Sequence, residues 1–193
     1  MEYAINKLKR NSIILSSVFL ILYILTIRLY FYFADLTPIG LTQQIIQNLV
    51  FLVPYTYIIL GLFVYFRFYQ LKVLQVSVAV ILLLNILFRA NLFTHLFEST
   101  GEKAIFTTAA IILLVATFIF LIFLFQSKTK DCPGIFSIRK YAISTVCFFA
   151  LSTTAPFWAA TDKAFATQQL VELTTAIPYI FIIEFALKLR LKE

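Results

Sequence analysis

Long apolar stretches separated by short polar segments follow one another along almost the whole chain. A membrane-spanning helix needs about 20 predominantly apolar residues, and six stretches are close to that length. They are Ser12–Phe33, Ile45–Phe66, Val73–Phe93, Ala104–Gln126, Tyr141–Trp158 and Leu170–Leu187. The pattern predicts an all-α, polytopic membrane helix bundle of about six transmembrane helices, which forms one domain over residues 1–193.

The sixth stretch is the weakest of the six, and the connections between stretches are short. Glu172, Pro178 and Glu184 interrupt the sixth apolar run. The longest connection is Ser127–Lys140, where the sequence Asp-Cys-Pro-Gly at positions 131–134 is a turn signal. No connection is long enough to fold as a separate soluble domain.

Composition supports lipid as the solvent around these stretches. Hydrophobic residues make up 62% of the chain and charged residues 13%, whereas soluble domains have about 45–50% and about 25%. A water-soluble fold of 193 residues could not bury so much apolar surface. We therefore expect a multi-pass membrane protein.

The distribution of positive charge predicts the orientation. If the N-terminus is cytoplasmic, the inner segments carry most of the basic residues, as the positive-inside rule requires. These inner residues are Lys7, Lys9, Arg10, Arg67, Lys72, Lys128, Lys130, Arg139, Lys140, Lys188, Arg190 and Lys192. Both ends are then expected inside, and the formal net charge of +7 is a property of the cytoplasmic face and no sign of nucleic-acid binding.

Four polar side chains near the outer ends of the spans form a candidate intramembrane cluster. Asn85 and Arg89 lie four residues apart, on one face of the third helix. Arg28 has a similar depth in the first helix, and Glu172 begins the sixth. Because charges at membrane depth usually face the protein interior, we expect Glu172 to pair with Arg89 or with Arg28, and Arg89 is the preferred partner. Snorkelling of Arg89 to the headgroups is the alternative.

The basic inner face has two interpretations. Attraction to anionic lipid is the simpler one, and a docking face for a cytoplasmic protein is the functional one. The residues expected to contact such a partner are Lys128, Lys130, Arg139, Lys140, Lys188, Arg190 and Lys192. Glu184 lies one turn before Lys188, so an ion pair along the helix explains its presence near the inner surface.

Catalytic, metal-binding and cofactor chemistry have no sequence support. Cys132 and Cys147 form no Cys-x-x-Cys pair, and His95 is the single histidine, whereas transition-metal sites need several such ligands together. No nucleophile has a plausible base. We therefore expect no enzyme activity and no cofactor.

Two functional classes remain. A small oligomeric channel or transporter subunit has some support from the hydroxyl-rich fifth helix, although such residues serve close helix packing more often. A non-catalytic subunit, which acts as a sensor or anchor for a cytoplasmic partner and assembles as a homo-oligomer, is favoured because the chain carries little polar chemistry and has a basic inner face.

The small size, the Phe- and Ile-rich composition and the basic ends Lys7-Leu8-Lys9-Arg10 and Lys188–Lys192 resemble those of small polytopic proteins of bacterial conflict systems. Examples are the transmembrane subunit family of the Kiwa anti-phage system and the membrane immunity proteins for bacteriocins. The resemblance covers the chain as an architecture and includes no motif. It implies a role in antiviral defence or immunity, with a cytoplasmic effector held beneath the membrane.

Cysteine labelling from outside the cell tests the predicted topology. Cysteines introduced at Thr100 and Thr161 are expected to react with a membrane-impermeant maleimide, because both positions fall in predicted outer loops. Cysteines at Ser127 and Glu193 are expected to react only after the membrane is opened. External labelling at Glu193 would exclude the six-span arrangement.

Overall fold

The computed structural model describes residues 4–34, 41–89, 102–126, 132–158 and 164–191. Most of the described part of each predicted stretch is helical, and a two-residue strand stands near each end of the described chain. The elements are β1 (Ala4–Ile5), α1 (Lys7–Ala34), α2 (Leu41–Phe68), α3 (Lys72–Arg89), α4 (Glu102–Leu124), α5 (Ile135–Trp158), α6 (Ala164–Leu173), a 3₁₀ turn (Thr174–Ala176), α7 (Ile177–Lys188) and β2 (Arg190–Leu191).

Three helical stretches in the described residues are long and apolar enough to cross a membrane. They are Lys7–Phe33, Ile46–Phe68 and Gln169–Lys188, and the apolar helical stretches Lys72–Leu87 and Ile111–Leu124 are shorter. The chain is thus a helical protein with the character of an integral membrane protein. The sixth stretch, the weakest in sequence, is among the three because its carboxylates stand near its two ends and leave the middle apolar.

The helices begin earlier than their apolar runs predict. α1 begins at Lys7, five residues before the predicted span, and α5 begins at Ile135, six residues before its span. The prediction of a connecting segment over Ser127–Lys140 is therefore wrong for Ile135–Lys140, which lie on α5. The physical reason is burial, because Ile135 and Ile138 face the interior at helical spacing with relative exposures of 4% and 0%.

The described residues form two compact units. Unit 1 comprises Met1–Ile39 and Pro133–Glu193, and unit 2 comprises Gly40–Cys132. The chain thus completes unit 2 between the first helix and the last helices of unit 1. The prediction that residues 1–193 form one domain stays a prediction.

In unit 1 the sixth stretch packs against both of the other helices. α7 contacts α1 and α5, and α6 contacts the same two. Buried residues of α1 recur every three or four positions, at Ile13, Ser17, Leu20 and Ile24. This spacing is expected when one face of a helix is buried. Tyr179, Ile182, Phe185 and Ala186 of α7 are buried in the same way.

The two short strands join the beginning and the end of unit 1. β1 and β2 pair in parallel, with Ala4 opposite Arg190 and Ile5 opposite Leu191. Ile5 and the neighbouring Leu189 are almost fully buried, each with 3% exposure. The first residues of α1 and the last residues of α7 therefore lie at the same end of unit 1, here named the paired end.

In unit 2, α3 packs against α2 and against α4. Tyr65 and Phe66 of α2 are completely buried, and the Phe66 ring meets the Phe120 ring of α4 edge to face at 6.0 Å between centroids. α2 ends in a tight turn, in which Gln70 has a φ of 54° and the Leu71 N–H donates to the Phe66 carbonyl. This arrangement satisfies a carbonyl at the helix end.

Gly134 sits in a turn before α5 that only glycine fits well. Its φ is +80°, and a Cβ built there would lie 2.8 Å from Cδ2 of the buried Phe185 of α7. The absent side chain lets the start of α5 approach α7 closely, which positions the charged side chains at the paired end.

Gly134→Ala is expected to destabilise the protein. The left-handed backbone costs an L-residue about 1–2 kcal/mol, and the new methyl group would collide with Phe185. The melting temperature in mild detergent measures the effect. The double variant Gly134→Ala/Phe185→Leu should lose less than the sum of the two single variants, because the smaller leucine relieves the collision. Gly61→Ala, within α2, is the control, and an equal loss in Gly61→Ala would contradict this account.

Candidate functional site

A polar cluster joins α1 to α6 at the end of unit 1 opposite the paired end. The Arg28 Nη1 of α1 lies 2.6 Å from the Glu172 Oε2 of α6, and it donates a hydrogen bond to the Gln169 Oε1 at 3.2 Å. Gln169 and Glu172 are three residues apart and thus share one helix face. Gln169 is buried, and 13% of the Glu172 side chain is exposed, against 36% for Arg28.

A local break in the sixth stretch follows directly after Glu172. The Thr174 and Thr175 hydroxyls donate to the carbonyls of Val171 and Glu172 at 2.5 and 2.6 Å. The Ile177 N–H donates to the Thr174 carbonyl, and Pro178, which has no N–H, stands at the start of α7. The threonine hydroxyls and the 3₁₀ bonding occupy carbonyls around the break, as membrane-embedded backbone requires.

The structure pairs Glu172 with Arg28, which is one of the two partners that the sequence offers. Arg89 ends α3, and its side chain lies outside the described part of the chain, so its pairing with Glu172 stays a prediction. Asn85, the residue that shares a helix face with Arg89 in the predicted cluster, lies on α3. Its Nδ2 donates to the Ile81 carbonyl of its own helix at 2.9 Å.

A second charged cluster lies at the paired end and joins α5 to α7. The Lys188 Nζ is 2.5 Å from the Glu184 Oε1, which matches the ion pair along the helix that the spacing predicts. The Lys140 Nζ of α5 is 3.3 Å from the Glu184 Oε2, and the Lys188 Nζ also contacts the fully buried Ser137 Oγ at 3.3 Å. One carboxylate therefore bridges two ammonium groups.

Aromatic rings complete the surroundings of Lys140. Its Nζ lies 4.9 Å from the ring centroid of Phe136 and 5.5 Å from that of Phe181, within the range of a cation–π contact. Sequence reasoning missed this arrangement, because Lys140 and Glu184 are 44 residues apart. The available signals were their opposite charges and their predicted position on the same, inner side of the membrane.

The structure describes four of the seven residues of the predicted partner face. Arg139 and Lys140 lie on α5, Lys188 ends α7 and Arg190 lies in β2, so these four residues share the paired end. Lys140 and Lys188 are held by Glu184, as described above. Lys128, Lys130 and Lys192 lie outside the described residues.

Hydroxyl groups of α5 that the sequence offered as a polar path bond to their own helix. The Ser144 and Thr145 hydroxyls both donate to the Tyr141 carbonyl, at 3.0 and 2.7 Å. Side chains of Ser152, Thr153 and Thr154 lie outside the description. Back-bonding of this kind satisfies a hydroxyl in lipid without a second helix or a water-filled path.

Metal ligation has no candidate within the residues that the structure describes, since no three His, Cys, Asp or Glu side chains come together there. Cys132 is buried and Cys147 is exposed, both as thiols. The chain matches no known protein family, no curated protein and no solved structure. The geometry of the two charged clusters therefore carries the functional argument.

A double-mutant cycle tests the Arg28–Glu172 pair. Arg28→Ala and Glu172→Ala are each expected to lower the melting temperature, because each strands a charge or donor in partly buried surroundings. The double variant should lose less than the sum, with a coupling of about 0.5–3 kcal/mol.

The matched cycle uses Arg89→Ala with Glu172→Ala. If Arg28 is the partner of Glu172, this second cycle is expected to be additive. Coupling in the second cycle and additivity in the first would instead support the sequence-based pairing of Arg89 with Glu172.

Proposed function

We propose that the chain is a non-catalytic, multi-pass subunit of the bacterial inner membrane, which senses or anchors on behalf of a cytoplasmic protein partner in an antiviral defence or immunity system. The observation that supports this most is the contrast between the two ends of unit 1. The end opposite the paired end holds a matched pair, Arg28 and Glu172. The paired end gathers a large excess of positive charge.

The excess at the paired end is seven basic residues against one carboxylate among the described residues. The basic residues are Lys7, Lys9, Arg10, Arg139, Lys140, Lys188 and Arg190, and the carboxylate is Glu184. The positive-inside rule places such an end in the cytoplasm. Ala4 and Arg190 are neighbours, so an even number of crossings lies between them in this proposal, which agrees with six spans and with both ends inside.

An acidic surface on a soluble protein is the complement of this end. Electrostatic complementarity speeds association and fixes orientation more than it adds affinity. Lys128 and Lys130 precede α5 in the sequence and Arg139 lies on it, so the proposed orientation assigns all three residues to the cytoplasmic side. Lys140 and Lys188 differ from the other members of the face because Glu184 pairs with both of them.

Self-association is part of the proposal. The side of α1 that faces away from the rest of unit 1 carries an exposed leucine at every seventh position, namely Leu8, Leu15, Leu22 and Leu29. A seven-residue apolar repeat suits packing against another helix, because it keeps one seam facing the partner. A closed, rotationally symmetric homo-oligomer is the default form of such an assembly.

A small oligomeric channel or transporter subunit is the second candidate. The partly buried ion pair beside the 3₁₀ break of the sixth stretch favours it, because broken helices and intramembrane charges mark many transport sites. The back-bonded hydroxyls of Ser144 and Thr145 favour the anchoring role instead, since they leave fewer donors to line a path.

Removal of charge before α5 tests the anchoring role. Lys128→Gln/Lys130→Gln, and the same pair combined with Arg139→Gln, are expected to release the soluble protein that co-purifies with the wild-type oligomer. The difference between wild type and the variants should shrink with added salt, since exposed charges are screened over about 8 Å at physiological ionic strength. Quantitative mass spectrometry of the purified complex measures both the partner and the number of copies of the chain.

Lys103→Gln/Lys163→Gln is the matched control, because it removes two positive charges from the predicted outer side. It should keep the partner at the wild-type level. Equal retention in all variants would reject a basic docking face, and measurable ion flux through the purified oligomer would favour the channel.

A further inference from the structure

The cluster at the paired end has more donors than its own carboxylate uses. Each lysine ammonium carries three N–H donors and no acceptor. Lys188 directs contacts to Glu184 and Ser137, and Lys140 directs its contacts to Glu184 alone among hydrogen-bond acceptors of the described residues. With 38% and 45% of their side chains exposed, both ammonium groups still face outward.

The local electric field also favours an added anion. Arg139 and Arg190 stand at the same end as the cluster and add two positive charges. Arg10 adds to this, since its Nε is buried without a hydrogen-bond acceptor in the described chain. Glu184 supplies a single negative charge, so the pair of lysines keeps an excess that one phosphate diester would neutralise.

The depth of the cluster distinguishes a lipid from a soluble anion. Glu184 and Lys188 occupy the last turns of Gln169–Lys188, which is apolar and long enough to cross a membrane, so their charges stand at the level of the headgroups. Phe136 beside Lys140 is 60% exposed, and Leu187 is exposed to the same extent. An anionic group above and apolar side chains around it match an amphipathic ligand.

We infer that Lys140 and Lys188, with Glu184 and Ser137 holding them in place, form a headgroup site for an anionic phospholipid. The ammonium groups contact the lipid phosphate. The first part of an acyl chain contacts the exposed Ile143 and Ile180, which lie about one turn further from the paired end than Lys140 and Glu184. Basic pockets between membrane helices on the cytoplasmic side are known places for anionic headgroups. This inference does not depend on the proposed cytoplasmic partner.

The test uses the purified full-length chain in detergent, titrated with phosphatidylglycerol or with phosphatidylcholine and followed by native mass spectrometry. Wild type is expected to retain phosphatidylglycerol in preference to phosphatidylcholine. Lys140→Gln/Lys188→Gln should bind phosphatidylglycerol about thirtyfold more weakly, which is the worth of two headgroup-level cations. Arginine at both positions should restore binding.

Lys7→Gln/Lys9→Gln is the matched control, since it removes two exposed cations from the same end outside the cluster. It should keep the wild-type preference. Equal losses in the two double variants would overturn the site in favour of diffuse surface attraction. Displacement of the lipid by inorganic phosphate at similar concentration would overturn it in favour of a soluble-anion site.

Glu184→Gln separates binding from a purely structural role. It preserves the shape of the side chain and removes the competing negative charge, so it should bind phosphatidylglycerol more tightly than wild type does. Unchanged or weaker binding would overturn the inference. This arm also decides the matter if the lysine double variant fails to fold, as judged by its elution and melting temperature in phosphatidylcholine.

Discussion

The two carboxylates of the sixth stretch act as the electrostatic attachments of unit 1, one near each end. Glu172 pairs with Arg28 of α1. Glu184 pairs with Lys140 of α5 and with Lys188 of its own helix. Between them the stretch is apolar and packs against both neighbours. Removal of one partner of a buried ion pair costs up to about 3–5 kcal/mol, and partial exposure of Arg28 and Lys140 lowers that figure here. The charges that weaken the stretch as a membrane segment therefore hold it in place in the bundle.

Much of this architecture follows from the sequence. Apolar runs locate the helices because lipid leaves few alternatives to a continuous helix. Helix starts are harder, because Lys7–Asn11 and Ile135–Lys140 are polar or mixed and their helical state depends on tertiary packing. The buried Ile135 and Ile138 become visible as core residues only when α7 is placed beside them.

Some contacts of the charged clusters could be predicted from the sequence, and others could not. The Glu184–Lys188 pair is local, so the four-residue spacing predicts it. Lys140 reaches Glu184 across 44 residues, and no spacing rule encodes that distance. Arg28 and Arg89 both stand near the predicted outer ends of their spans. Depth in the membrane therefore allowed either residue to pair with Glu172, although the sequence analysis preferred Arg89. Three-dimensional packing of α1 against α6 brings Arg28 into contact.

A consequence of these pairings is that the described interior of unit 1 has little chemistry to offer. Ser17 and Ser144 bond to their own helices, and the ionised groups of the sixth stretch are matched by cations. Interaction with other molecules then falls to the surfaces. At the paired end, Glu184 holds both Lys140 and Lys188.

The strand pair has a consequence for biosynthesis. The residues of β1 are made before every described helix and those of β2 after all of them, with unit 2 produced in between. Ile5, which is buried against the far end of the polypeptide, has no native neighbour in the terminal strand until residue 191 has emerged. Closure of unit 1 therefore has to follow the synthesis of unit 2, and a chain that stops before residue 190 lacks the strand that pairs with β1.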